Sequence, residues 1–127
     1  MKHNSLLTIA SLLSILLFTL HVTDDIVRGI SGAGPENAFA VVIFVVWLFG
    51  TLVLAERRSG YIVMLIGGLL AAAMPVLHMM GARYPAIVTS SGGFFFLWTL
   101  FALSVTGTFS VILSTRALWT SRSTRPH

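Results

Sequence analysis

Four apolar runs divide the chain: Ser5 to Val22, Ala38 to Ala55, Tyr61 to Met80 and Phe94 to about Trp119. Each holds enough residues for about 27 Å of helix or more at ~1.5 Å per residue, which matches the hydrocarbon core of a bilayer. A lone apolar run has no water to pair its backbone there, so it satisfies its N–H and C=O groups as helix. The pattern predicts helices at about 5–28, 36–55, 61–80 and 94–119.

The breaks between runs carry turn chemistry. Ser31-Gly32-Ala33-Gly34-Pro35 ends the first element, and Pro35 suits the first turn of the second, where its missing N–H is not needed. Glu36 then falls near the positive end of that helix dipole. Glu56-Arg57-Arg58-Ser59-Gly60 is a short polar hairpin, and Gly81 to Gly93 is a longer connection with Pro85 and Gly92-Gly93 as breakers. Residues 120–127 are a polar, basic tail. The opening Met1-Lys2-His3-Asn4 has the outline of a secretory signal, but Thr19-Leu20-His21-Val22 offers no small-residue cleavage site. The first run is therefore read as an uncleaved helix.

Composition turns these runs into membrane spans. Of 127 residues, 56% are hydrophobic and 9% charged, against about a quarter charged in soluble domains. A chain this short cannot cover itself with polar surface from that supply. The expected fold is all-α: one domain, a four-helix transmembrane bundle running up-down-up-down, with short connections favouring antiparallel neighbours.

The net charge of +4 does not point to nucleic acid, because the basic residues flank the apolar runs. Six of the eight Lys and Arg residues (Lys2, Arg57, Arg58, Arg116, Arg122 and Arg125) fall on one side, and Arg28 and Arg83 on the other. The positive-inside rule puts both termini and the 56–60 hairpin in the cytoplasm of a bacterial-type inner (plasma) membrane protein. The same asymmetry argues against a dual-topology antiparallel dimer. Expected partners are membrane lipids and another membrane protein or a second copy of the chain.

Small residues predict where helices meet. The third run offers Gly67/Ala71 and Gly68/Ala72, and the fourth offers Ala102, Thr106, Ser110 and Ser114, so those two helices are expected to pack most closely. Tyr61, Tyr84, Trp119 and the Phe94–Trp98 run fit interfacial belts, and Trp47, placed mid-helix, fills volume.

One polar pattern stands out. Positions 4, 7, 11, 14, 18, 21, 25 and 28 alternate steps of three and four, which puts Asn4, Ser11, Ser14, His21, Asp25 and Arg28 on one face of the first helix. Asp24 lies one position off that stripe. His78, at the end of the third run and one turn past Pro75, comes at the same depth as His21. His21, Asp24, Asp25, Arg28 and His78, with Arg83 and Glu36 nearby, are expected at the extracytoplasmic mouth of the bundle.

Three readings of that cluster differ in chemistry. In the structural one, Asp25 pairs with Arg28 or Arg83 and the histidines bond neighbouring hydroxyls, giving a non-enzymatic accessory or sensing module. In the binding one, His21, Asp25 and His78 hold a transition metal, or the two imidazoles ligate a haem. In the catalytic one, His21 or His78 is a general base acting on a lipid. Absent cysteine excludes disulfides, thiolate metal sites and thiol nucleophiles, and the Gly-Gly pairs lack the following Lys-Ser/Thr of a phosphate loop.

Overall fold

The computed structural model describes residues 3–31 and 34–123. Five helices and no strands occur among them: α1 (His3–Val27), α2 (Glu36–Leu52), α3 (Arg58–Met79), α4 (Tyr84–Thr89) and α5 (Gly93–Ser123). Three helices, α1, α3 and α5, are long and apolar enough to cross a membrane, and α2 is a shorter apolar helix. Val27, Phe39, Phe94 and Trp119 all stand well exposed on the outer surface. Contiguous apolar surface of this kind is sustained by lipid and not by water, so the helices suggest a membrane-spanning protein.

The first helix ends where its glycine allows. Gly29 takes a left-handed φ of +66°; its N–H reaches the Ile26 carbonyl and the Ile30 N–H the Asp25 carbonyl. This is the Schellman arrangement, which needs a residue without Cβ strain at that position. It closes α1 two residues beyond Asp25 and keeps Asp25 helical.

The third helix already begins at Arg58, inside the expected 56–60 hairpin, and three further boundaries differ from the sequence reading. The second helix stops at Leu52, not Ala55, and residues 53–57 form the turn that lets Gly60 lie against the Leu54 backbone. A Cβ on Gly60 would collide with the Leu54 carbonyl. The Gly81–Gly93 connection contains α4: Pro85 sits in the first turn of that helix and begins it instead of breaking the chain. The fifth helix runs through Ser123, four residues into the expected tail, with Thr120 Oγ1 donating back to the Arg116 carbonyl. Thr124 to His127, like Lys2, lie outside the described residues.

Consecutive long helices run antiparallel. Ser11 meets Thr51 and Phe18 meets Phe44 across α1 and α2; Trp47 lies over Gly67 across α2 and α3. The closest pair is α3 with α5, as expected, but the seam differs in detail. From Leu103 onward the buried positions of α5 are Leu103, Gly107, Ser110, Ser114 and Ala117, which alternate four and three, whereas a strict step of four would have placed Ala102 and Thr106 there. A step of four drifts around a 3.6-residue helix, and a seam between two helices follows 3.5. Gly107 is the point of nearest approach: a Cβ there would lie 2.6 Å from the Ala71 Cβ and 2.8 Å from the Gly68 carbonyl oxygen. The two adjacent glycines of α3 serve different partners, Gly67 facing Trp47 of α2 and Gly68 facing α5, while Ala71 also meets α5 at Gly107.

Candidate metal centre

The predicted stripe on α1 is its buried face. Leu7, Ser11, Ser14, Phe18, His21 and Asp25 are all buried, and Arg28 half-buried. Two polar networks grow from it. Near the middle, Trp47 Nε1–H donates to Ser11 Oγ (2.9 Å), Ser11 and Thr51 hydroxyls are 2.7 Å apart, and Thr51 Oγ1 donates to the Trp47 carbonyl (2.8 Å). Each hydroxyl has one proton, so the Ser11 hydroxyl must donate to Thr51 and the loop closes with every donor matched.

The second network lies near the C-terminal ends of α1 and α3. His78 Nδ1–H donates to the Met74 carbonyl at 3.0 Å. Thr99 gives its hydroxyl proton to the Phe95 or Phe96 carbonyl (3.0 and 3.1 Å), which leaves its oxygen to accept His21 Nδ1–H at 3.2 Å. With both Nδ1 atoms donating, a neutral ring carries its lone pair on Nε2; the tautomers follow from this network. Those lone pairs face each other at 3.3 Å. Asp25 Oδ2 stands 3.3 Å from His78 Nε2 and 3.9 Å from His21 Nε2. Three electron-rich atoms therefore converge on one point.

That point has the dimensions of a coordination site. The three separations put the position equidistant from the donors, in their plane, about 2.0 Å from each, within the ~2.0–2.2 Å of zinc–imidazole and zinc–carboxylate bonds. Each imidazole is fixed through its remote N–H, the usual way a ligating histidine is oriented. Asp25 Oδ1 is buried without a hydrogen-bond partner, and buried carboxylates are ordinarily paired or bound to a metal. No known family model, no curated protein and no solved structure matches this chain. Its chemistry is read from the site itself.

The structure brings together His21, Asp25 and His78 and separates them from the other candidates. Asp24 turns to Arg28, at 3.7 Å from Nε. Arg28 is a clamp: it donates to the Ser91 carbonyl (3.2 Å), the Ile87 carbonyl (3.4 Å) and Ser90 Oγ (3.3 Å), tying the end of α1 to the α4–α5 junction. Gly92, with φ +89°, leaves room for that guanidinium, since a Cβ there would lie 2.7 Å from Nη1. Neither Arg28 nor Arg83 bonds Asp25, whose partners are the histidines. Arg83 reaches the Ile30 carbonyl at 3.4 Å, and the Glu36 side chain lies outside the described residues.

Two contributors escaped the sequence. Thr99 orients His21, and Phe96 packs on both imidazoles, with ring centroids 5.1 Å from His21 and 5.6 Å from His78. Phe96 and Thr99 stand three apart on α5 and are buried together with Leu100. Only that spacing marks them, and it is shared with any packed helix.

Proposed function

We propose that the protein is a small, multi-pass, non-enzymatic membrane module that holds a divalent transition-metal ion between His21, Asp25 and His78. The carrying observation is the convergence of two imidazole lone pairs and one carboxylate oxygen on a point at metal-bond distance. Two nitrogens and one carboxylate oxygen suit zinc, iron(II) or their neighbours in the first row. Three protein ligands leave a coordination position open, as in sites that exchange or sense a ligand. Haem fits poorly: its axial nitrogens lie on opposite sides of the iron, about 4 Å apart with a porphyrin between, and here the Nε2 atoms are 3.3 Å apart. The lipid-modifying reading keeps its His–Asp pair but gains no nucleophile, because the nearby hydroxyl, that of Thr99, faces Nδ1 and the helix carbonyls.

In this reading one domain of four helices, α1, α2, α3 and α5, crosses the membrane up-down-up-down, and α4 lies at the extracytoplasmic mouth. Both termini are cytoplasmic in a bacterial-type inner membrane. The charge asymmetry supports that orientation, and a helix of 17 residues such as α2 is within the spanning range. A cytoplasm-dependent reporter should work after Thr124 and fail after Ala33; the opposite pattern reverses the orientation.

The metal reading is tested by titrating metal-stripped, detergent-purified protein with zinc and with cobalt. One equivalent should bind, and His21→Ala, His78→Ala and Asp25→Asn should each weaken binding by more than the roughly 10–100-fold seen for outer-shell changes. No saturable binding to a wild type that melts cooperatively would leave the triad as a proton-bridged clamp and sink the proposal.

A further inference from the structure

The triad is not sealed evenly. Side-chain exposure rises from 1% at His21 through 12% at Asp25 to 21% at His78, so the site opens on the His78 side. There a cavity of about 410 Å³ lies between the end of α3 and α4, with His78, Leu77, Tyr84 and Arg83 in its wall. A second cavity of about 400 Å³ continues toward Arg28 and Ser90. Ile30, Arg83 and Ile87 line both, so Arg83 stands at the junction of one cleft that leads to a triad ligand.

The charges along this cleft are unequal. Asp24 faces Arg28, and the remaining Arg28 donors are used on Ile87, Ser90 and Ser91. Arg83 is exposed, has no carboxylate partner among the described residues, and makes one long hydrogen bond to a carbonyl. A divalent ion on Asp25 adds a further unit of positive charge, so the loaded cleft carries two uncompensated charges, one at the ion and one at Arg83. Ser90 and Ser91 line its far part and Ile30, Leu77 and Ile87 its apolar wall, and Leu77, Met79 and Met80 are exposed at the end of α3.

We propose that this cleft binds a phosphate oxyanion, held by the Arg83 guanidinium and completing the coordination of the ion at His21, Asp25 and His78. This rests on the metal reading above. Guanidinium matches phosphate with paired N–H donors, and phosphate is the anionic group found at the depth of a spanning helix's end. Without the metal, Asp25 opposes Arg83 and the cleft has no net attraction for an anion, so metal and phosphate bind cooperatively. The phosphate comes from a phospholipid headgroup, with acyl chains along the exposed end of α3, or from free phosphate.

Cobalt-loaded protein in dodecyl maltoside, a detergent without phosphate, gives the reference visible spectrum. Adding phosphatidylglycerol to the micelles, or adding inorganic phosphate, should shift the cobalt bands and raise cobalt affinity about tenfold, a coupling in the usual range. Chelation of cobalt by free phosphate acts in the opposite direction. A shift with phosphatidylglycerol alone assigns the site to a lipid headgroup; a shift with inorganic phosphate also assigns it to the free oxyanion. Arg83→Gln, compared with its own phosphate-free maltoside spectrum, should lose the response, and Arg83→Lys should retain part of it. A cobalt site indifferent to both phosphates, or an Arg83→Gln response equal to wild type, overturns the proposal while leaving the metal reading intact. Failure of cobalt to bind at all would instead remove the reading on which it rests.

Discussion

Two buried polar networks share one face of α1, and their hydrogen-bond accounts close differently. In the Ser11–Trp47–Thr51 loop each donor meets an acceptor and no charge is present. In the His21–Asp25–His78 triad three acceptors meet, and Asp25 Oδ1 has no partner. A closed network in a membrane protein joins helices and needs nothing from outside. An open one containing a carboxylate takes up a proton on a histidine or a metal ion from outside. The difference lies in residue type: hydroxyl groups donate and accept at once, whereas a carboxylate and two Nε2 lone pairs only accept. The two networks lie ten residues apart on one helix face, the first sealed and the second opening at His78, so donor inventory and access together distinguish a lock from a site.

The largest effect that would separate them is on metal affinity. Asp25→Asn keeps the size and removes the charge, and zinc binding should fall by more than 100-fold, beyond the outer-shell range of roughly 10–100-fold. Thr51→Val, at the other network, should change zinc affinity by less than about twofold, because distant sites without shared partners act independently. Isothermal titration of both variants in one detergent makes the comparison. Equal losses would mean that metal affinity reports general loosening of the helices.

Next in size is the seam that positions His78 against α1. Gly68 has the Gly107 carbonyl oxygen 2.9 Å and the Ser110 Cβ 3.1 Å from where its Cβ would sit. Gly68→Leu should therefore destabilise the protein by about 1–3 kcal/mol, the usual range for overpacking. Thermal unfolding in detergent measures this, and zinc affinity should fall alongside, because α3 and α5 hold the triad between them. Stability within error of the wild type would show that α3 and α5 separate in the membrane.

Much of this was legible in the sequence for a definite reason. Alternating steps of three and four mark one helix face whatever residues occupy it, so the buried set on α1 was readable from Leu7 to Asp25. The match of His21 with His78 followed from counting each from its apolar boundary. Helix α4 was not legible, since six residues carry too little periodicity, and Pro85 marks a helix start as readily as a break. Nor was Gly107, because a step-of-four stripe of small residues at 102, 106, 110 and 114 masked the 3.5-residue seam beside it. Thr99 is one of many threonines whose hydroxyl bonds the preceding turn; only tertiary contact reveals that its oxygen also accepts from His21.

Thr99 gives the third test. Thr99→Val keeps the β-branched shape and removes the acceptor for His21 Nδ1–H. The ring then loses what fixes its tautomer, and zinc affinity should drop about tenfold, at the low end of outer-shell effects. Thr99→Ser, which retains the oxygen, should recover most of that loss. Equal weakening in the valine and serine variants would assign the effect to packing against Phe96.

The smallest effect belongs to the closed network and completes the comparison. Trp47→Phe removes Nε1–H but leaves an aromatic ring over Gly67 and beside Phe18. Ser11 still has a donor role toward Thr51, so no buried polar hydrogen is orphaned, and one hydrogen bond is lost. Such bonds within membranes average about 0.6 kcal/mol. The smaller ring adds a loss from the void it leaves. Ser11→Ala keeps the indole but removes two hydrogen bonds and leaves the buried Trp47 Nε1–H without its acceptor, which costs more than losing donor and acceptor together. Both variants should melt earlier in detergent, Ser11→Ala by the larger amount. Neither should move zinc affinity or the cobalt spectrum, because the matched loop passes no charge to the triad. A cobalt spectrum that shifts in Ser11→Ala would show the two networks to be one, joined through the α1 face, and the distinction between lock and site would then fail.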